Sequence, residues 1–289
     1  VIGTILFVFI FTIPISKVVT YLDPNNVARQ IANAHTLFNV VNVIVLLPFS
    51  KYIVKLVLRL IPVTEDEKEE TSDVKYIDDR MIQTPGIAVG NAFLEIKEMA
   101  NYAVDSVKYA TEGILNYSEE EIDKTFAMEK KVNQIQRRLL DFLVKLSKEP
   151  LSEDERNKVT NLIYAVNDIE RISDHGENIA ELGKNLIKEK LTFSEHAQDE
   201  IKEISNLAIN NFKDSTKCLE EINLELRKRV HENEKQVDLL EIGYRNHHLQ
   251  RLNEGRCTVD SGVIYFDILA NLERISDHSK NIADYSYDI

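Results

Sequence analysis

An all-α fold is expected of this 289-residue chain: a truncated transmembrane helical segment followed by two tandem antiparallel three-helix bundles. Three observations predict it. Six prolines and nine glycines leave little room for an all-β reading, and 44% apolar residues suffice for buried cores. Apolar residues recur at three- and four-residue steps, as in Ile135, Leu139, Phe142, Leu143 and Leu146. A helical unit is also written twice, NDIERISDHGENIAE at 167–181 returning as ANLERISDHSKNIAD at 270–284.

The chain opens on an uncharged apolar run from Val1 to Ile15, slightly short of the roughly 20 residues that a span needs. With no basic segment ahead of it, it reads as a piece beginning inside a larger membrane protein and not as a signal peptide. A second run, Ile31 to Leu47, is uncharged if His35 is neutral. Its polar positions His35, Thr36, Asn39 and Asn42 would face a bundle interior or pathway, or serve as hydrogen-bonding partners between helices. After Pro48, Lys51, Lys55 and Arg59 recur at every fourth residue, putting three cations on one face and Val, Leu and Ile on the other. Such a segment would send its charges to lipid headgroups or lie in the interface of the bilayer. By the positive-inside rule the expected location is a bacterial cell membrane, multi-pass, with the C-terminal part in the cytoplasm. The competing reading is an amphipathic helix buried in a soluble protein.

Residues 1–62 thus form the membrane segment and 63–84 an acidic linker, VTEDEKEETSD leading it. Beyond Pro85 only Pro150 interrupts the chain. Hydroxyl-x-x-Glu spacings at Ser118–Glu121, Ser152–Glu155 and Thr192–Glu195 mark helix starts as capping boxes. Helices are expected at about 86–116, 119–148, 153–189, 194–223, 225–252 and 261–287. Short links between long helices imply antiparallel packing, with one bundle over 85–190 and the other over 191–289.

Charge is distributed unevenly. Residues 1–62 carry about +4 and the remainder about −17. The acidic part is the wrong sign for a nucleic-acid surface and suits a solvated domain that attracts cations. Cys218 and Cys257, far apart and without a framework, read as reduced thiols.

Upstream of the doubled motif the copies align at a shift near 105: Glu98 with Glu203, Lys108 with Lys213, Glu129 with Glu234, and Asn133 with Asp238. Acids at i and i+4 share a helical face, Glu170 with Asp174 and Glu273 with Asp277. The preceding helix of each copy offers Glu129 with Asn133 and Glu234 with Asp238. Like charges so placed cost roughly 0.2–0.5 kcal/mol per pair, and a repeated cost asks for a neutralising partner. Two readings are open. The eight side chains could form oxygen-rich cages for divalent or trivalent metal ions, magnesium and manganese being compatible with such ligands. Or Arg171 and Arg274 could neutralise acids in a duplicated ion-pair network. His175 and His278 read first as satisfied polar groups. No HExxH, GxSxG, phosphate-binding glycine loop or CxxC is present, and Ser-Asp-His neighbours on one helix point about 100° apart, so no enzyme is expected.

At the ERISDH motifs the chain resembles the PhoU family of phosphate regulators, over about residues 85–287. The resemblance implies two three-helix bundles whose ExxxD-type motifs bind multinuclear metal, commonly iron or zinc. Glu170 and Asp174, Glu273 and Asp277, and Glu234 with Asp238 match that motif; Glu129 matches, but Asn133 stands where an Asp is expected. The stretch ANAHTLFNVVNVIVLLPF, 32–49, is similar to the A-x-A-H-x-x-F-N segment of the bacterial sodium/phosphate cotransporter family, and HHLQRLNEGRC, 247–257, to its PhoU-bearing members. This second resemblance implies the C-terminal part of a sodium-dependent phosphate symporter. Sodium and inorganic phosphate would be ligands of the full-length protein and the bilayer its surroundings; a homo-oligomer is one open assembly. The family's Gln-Ser-Ser signatures are absent, so this stretch would not transport alone. The alternative implied is a membrane-anchored PhoU-like adaptor in phosphate signalling.

Overall fold

The computed structural model describes residues 2–46, 74–220 and 223–286; of residues 2–11, 42, 45 and 46 it describes the backbone only. The chain divides into two compact units, Val1–Lys68 and Glu69–Ile289. All described regular structure is helical.

The first unit is a helical hairpin of α1 (Ile2–Leu22) and α2 (Val27–Leu46). Ile15 and Val19 of α1 bury against Ala34, Leu37, Phe38 and Val41 of α2. The turn is tied down locally. Asn26 Oδ1 accepts from the Arg29 amide at 3.1 Å, and Gln30 Nε2 donates to the Asp23 carbonyl at 2.6 Å. Three of the four polar positions singled out in the second apolar run are exposed and satisfied within α2. Thr36 Oγ1 donates to the Ala32 carbonyl at 3.1 Å, and Asn39 Nδ2 lies 3.3 Å from His35 Nδ1. The Asn42 side chain and the cationic positions Lys51, Lys55 and Arg59 lie outside the described residues.

Among the described residues no helix is long and apolar enough to cross a membrane. In α2 the reason is plain, since Arg29, Gln30, Asn33, His35 and Asn39 interrupt its apolar run. This finding corrects the expected multi-pass location in a bacterial cell membrane, and with it the assignment of the C-terminal part to the cytoplasm.

The second unit holds six long helices: α3 (Pro85–Asn116), α4 (Glu119–Leu146), α5 (Glu153–Lys188), α6 (Glu195–Cys218), α7 (Leu224–Asn253) and α8 (Val259–Tyr285). Their starts follow local chemistry. Pro85 occupies the first turn of α3, where its missing N–H costs nothing. Ser152 and Glu155 form the full reciprocal capping box of α5, whereas at α4 only Ser118 accepts. At α6 the cap is Ser194, which accepts from the Ala197 amide at 3.3 Å, and not the expected Thr192. Thr192-x-x-Glu195 has the right spacing, but Ser194 lies next to the first apolar turn, where Ala197 and Ile201 bury. Asn223 caps α7 and Thr258 caps α8.

Helices α3, α4 and α5 pack as one triple and α6, α7 and α8 as the other. The triples are not separate beads. α5 packs along α8 and α3 along α6, and one continuous apolar core runs from Ile77 to Ile282 through both. Gly176 permits the close approach of α5 to α3, since a Cβ there would sit 2.9 Å from Ser106 Oγ and 3.3 Å from the Val107 amide. Tyr117, at the left-handed end of α3 (φ +53°), uses its hydroxyl to accept from the Phe193 amide at 2.9 Å and so ties the triples together. Residues 74–84, expected within the linker, join this core. Ile77 and Ile82 are buried, and Glu95 Oε2 accepts the amides of Lys75 and Tyr76 at 2.8 and 2.6 Å.

Candidate functional site

The doubled motif lies on α5 and α8, the helices that run through the middle of the fold. One face of each packs inward through Ile169, Ile172 and Ile179, or through Leu272, Ile275 and Ile282. The ExxxD acids occupy the adjoining half-buried face, toward α4 in one triple and α7 in the other.

In the second triple this geometry gathers Asp238 from α7 with Glu273 and Asp277 from α8. One carboxylate oxygen from each lies within 4.8 Å of the other two. Asp238 Oδ1 is buried and has no hydrogen-bond partner among the described residues. Burial, followed by the charges of Glu234 and Asp277, pushes the Asp238 carboxyl up from its ordinary range. Burial and Asp277 do the same to Glu273. Two cations stand at the rim. Arg274 Nη1 lies 3.1 Å from Asp277 Oδ2 and its Nε 3.4 Å from Glu273 Oε2, yet its side chain is 61% exposed. Glu234, the fourth expected member, is instead taken by Lys280, whose Nζ donates to its Oε1 at 2.6 Å.

The first triple sets Glu129 and Asn133 of α4 beside Glu170 and Asp174 of α5. Asn133 Nδ2 donates to Glu129 Oε1, leaving Asn133 Oδ1 buried and unpartnered among the described residues. Burial and the charges of Glu177, Asp174 and Glu170 push the Glu129 carboxyl up to about 7. Glu170 and Asp174 are raised too, chiefly by burial. Arg171 remains 3.9 Å from Glu170. The acid missed by spacing arguments is Glu177, one turn beyond Asp174. It aligns with Lys280 of the second copy, and that alignment was the available signal.

The motif histidines turn away from the carboxylates and meet between α5 and α8, their ring centroids 5.6 Å apart. Each bonds to the other copy: His278 Nδ1 to Asp168 Oδ1 at 2.6 Å, His175 Nδ1 to Asn271 Oδ1 at 2.8 Å. They hold the two triples together.

Of the eight sequence-predicted carboxylate and amide positions, Asp238, Glu273 and Asp277 converge, Glu234 is diverted to a lysine, and Glu129, Asn133, Glu170 and Asp174 lie as neighbours in the other triple without a comparable convergence among the described residues. Oxygens that repel one another, some buried without donors, suit a hard cation. The fold and site define a class: a tandem helical-bundle protein carrying duplicated ExxxD carboxylate clusters. The PhoU domain model matches residues 96–183 and 201–286, more than half of the chain, and the chain belongs to that family.

Its relatives include the phosphate-specific transport system accessory protein PhoU homolog 1 of Thermotoga maritima, 24% identical over 192 residues, or 66% of this chain and 82% of that protein. The corresponding PhoU homolog of Clostridium acetobutylicum is 30% identical over 145 residues, 49% of this chain and 63% of its own. YjbB of Escherichia coli K12, provisionally named an inorganic phosphate export protein, is 19% identical over 253 residues. That match covers 86% of this chain, which spans 46% of YjbB's length. Among solved structures, PhoU of Pseudomonas aeruginosa superposes with a TM-score of 0.63 at 18% identity, covering 68% of this chain and 94% of that one. The phosphate transport system regulatory protein PhoU of Streptococcus pneumoniae gives 0.64 at 15% identity, covering 70% and 95%.

Proposed function

We propose that the chain is an accessory module that regulates a phosphate transport system and does not itself move phosphate, with cation binding at its paired carboxylate clusters as the regulatory input. The observation that carries the cation part is the convergence of Asp238, Glu273 and Asp277, with Asp238 Oδ1 buried and lacking a donor. An ion-pair network alone would leave that oxygen unsatisfied, at a cost of about 1–3 kcal/mol. Iron and zinc, named by the family resemblance, and manganese or magnesium, suited to oxygen ligands, are the ions to try. The regulatory part draws on the phosphate-transport relatives.

Metal content of the purified chain after exposure to each ion tests the first part. Stoichiometric metal, of which the second site's share is lost in a Glu273→Ala/Asp277→Ala variant, is the expected result; a metal-free parent in all four ions would leave only the ion-pair network. Phosphate uptake by cells expressing the chain tests the second part. Uptake through the host's own transport system should change with the parent and not with that variant. Phosphate movement into vesicles containing the chain alone would overturn the regulatory reading.

A second reading is favoured by the YjbB match, whose 253 residues extend beyond the two repeats. In it the same module regulates from within a longer phosphate-transport protein, as the symporter resemblance implies. Sodium-dependent phosphate flux through the full gene product would support that reading over a separate adaptor.

A further inference from the structure

The segment HHLQRLNEGRC, 247–257, closes α7 and leads into α8, away from both carboxylate clusters. It lines a cavity of about 260 Å³ with Ser194, His248, Arg256, Cys257, Thr258 and Ser261 in its wall. Inside it the Cys257 thiol lies 3.7 Å from His248 Nε2 and 3.9 Å from the His248 carbonyl oxygen.

The imidazole is closely held. It is 2% exposed, stacked on Tyr265 at 5.0 Å between centroids and met edge-on by Phe266 at 5.1 Å. Position 262 must be glycine, because a Cβ there would lie 2.5 Å from His248 Nε2. The other ring nitrogen, Nδ1, has no hydrogen-bond partner among the described residues. The ring is thus packed against two aromatic side chains, with the thiol as the partner of Nε2. Burial and the Arg251 charge keep it below its ordinary pKa, against the pull of Glu200, so the ring is neutral near pH 7 and has a nitrogen free to accept a proton. Cys257 is half-buried and stands immediately before Thr258, the N-cap of α8, where the helix dipole favours negative charge.

We propose that Cys257 is a site of reversible oxidation by small hydroperoxides, with His248 as its base. The thiol proton passes to His248 Nε2, and the sulfur attacks the near oxygen of hydrogen peroxide. The O–O bond breaks, and the departing hydroxide takes the proton back from the imidazole and leaves as water. Cys257 is oxidised to a sulfenic acid and one peroxide is reduced. Ser194, Thr258 and Ser261 line the space that the peroxide enters. Cys218 supplies the internal contrast. It is 1% exposed, and burial, with the charge of Asp214, pushes its thiol up to about 11.

The reduced full chain, treated with equimolar hydrogen peroxide and dimedone at neutral pH, tests the proposal by peptide mass spectrometry. The adduct is expected on Cys257 and not on Cys218, at a rate at least about tenfold above that of N-acetylcysteine. His248→Gln should lower the rate at least about tenfold, and Gly262→Ala, which displaces the ring, should lower it as well. Cys218 staying unlabelled in each variant reports an intact fold. A parent rate equal to that of N-acetylcysteine, equal labelling of the two cysteines, or an unchanged rate in a folded His248→Gln protein would each overturn the assignment.

Discussion

In the first triple the acid pair of α5 meets Asn133 and Glu177; in the second the acid pair of α8 meets Asp238 and Lys280. The backbone plan is the same, and the charge has been moved from one wall of the site to the other. Where the facing helix gained an acid, the motif helix gained a lysine that occupies Glu234. The duplicated sites are therefore different devices. The first sets four carboxylates near one another, with the charges of Arg137 and Arg171 only partly offsetting them and Glu129 held at about 7. The second converges three carboxylates and neutralises the fourth.

Swapping that wall charge should produce the largest effect. Lys280→Glu frees Glu234 and adds an acid, while Glu177→Lys gives Glu129 the partner that Glu234 already has. A unit charge about 4 Å away is worth about 1–4 kcal/mol between water and a near-surface environment. Manganese affinity, read by isothermal titration, should rise at least about tenfold at the second site in Lys280→Glu and fall comparably at the first in Glu177→Lys. In the absence of metal the melting temperatures should move the opposite way. Affinities unmoved by either swap would separate these residues from cation binding.

This difference between copies was only half legible in the sequence. Helix positions and the Ser118 and Ser152 caps were readable because periodicity and capping are local, and the i,i+4 acids were visible on one helix face. The repeat itself was visible as ERISDH. What the sequence hid was which neighbour each acid would find. Lys280 is seven residues from Glu273 in sequence but bonds to Glu234 across to another helix, and only aligning it with Glu177 flags it. Likewise the histidines of the motif lay beside the acids in sequence, and helix rotation carried them to the opposite task of joining α5 to α8. Thr192 matched a capping spacing that Ser194 fulfilled.

The histidine contacts offer the next contrast. Asp168 accepts from His278 at 2.6 Å and from the Tyr285 hydroxyl at 2.7 Å, whereas its counterpart Asn271 meets His175 at 2.8 Å. Asp168→Ala leaves two partly buried donors without a charged acceptor, and should cost about 1.5–3 kcal/mol in urea unfolding. Asn271→Ala removes a neutral acceptor and should cost about 0.5–1.5 kcal/mol. Equal losses would mean that the two crossings are energetically alike after all.

A smaller difference lies inside the triples. Asn211 Nδ2 donates to Ser276 Oγ at 3.0 Å, while the equivalent Ser106 and Ser173 hydroxyls are buried with no partner among the described residues. Asn211→Ala should lose about 1 kcal/mol in the same unfolding assay. Ser106→Ala, which gives up no hydrogen bond, should be neutral or slightly stabilising.

The smallest effect expected is one of pH, because Glu129 is partly solvated and water screens much of its repulsion. Its folded pKa of about 7 stands above an ordinary value of 4.5. Between those values the folded chain holds a proton that the unfolded chain releases, so unfolding gains ground as pH rises. Metal-free protein should therefore be most stable below about pH 4.5 as far as this group is concerned, lose melting temperature as pH climbs to about 7, and level off beyond. Glu170, Asp174, Asp238 and Glu273 are raised in the same direction and add to the slope. Glu129→Gln cannot titrate and should flatten part of it, and manganese added above pH 7 should restore what ionisation removed. If the slope were identical in parent and Glu129→Gln, the crowding of charge in the first site would have to be relieved by a neighbour other than a proton.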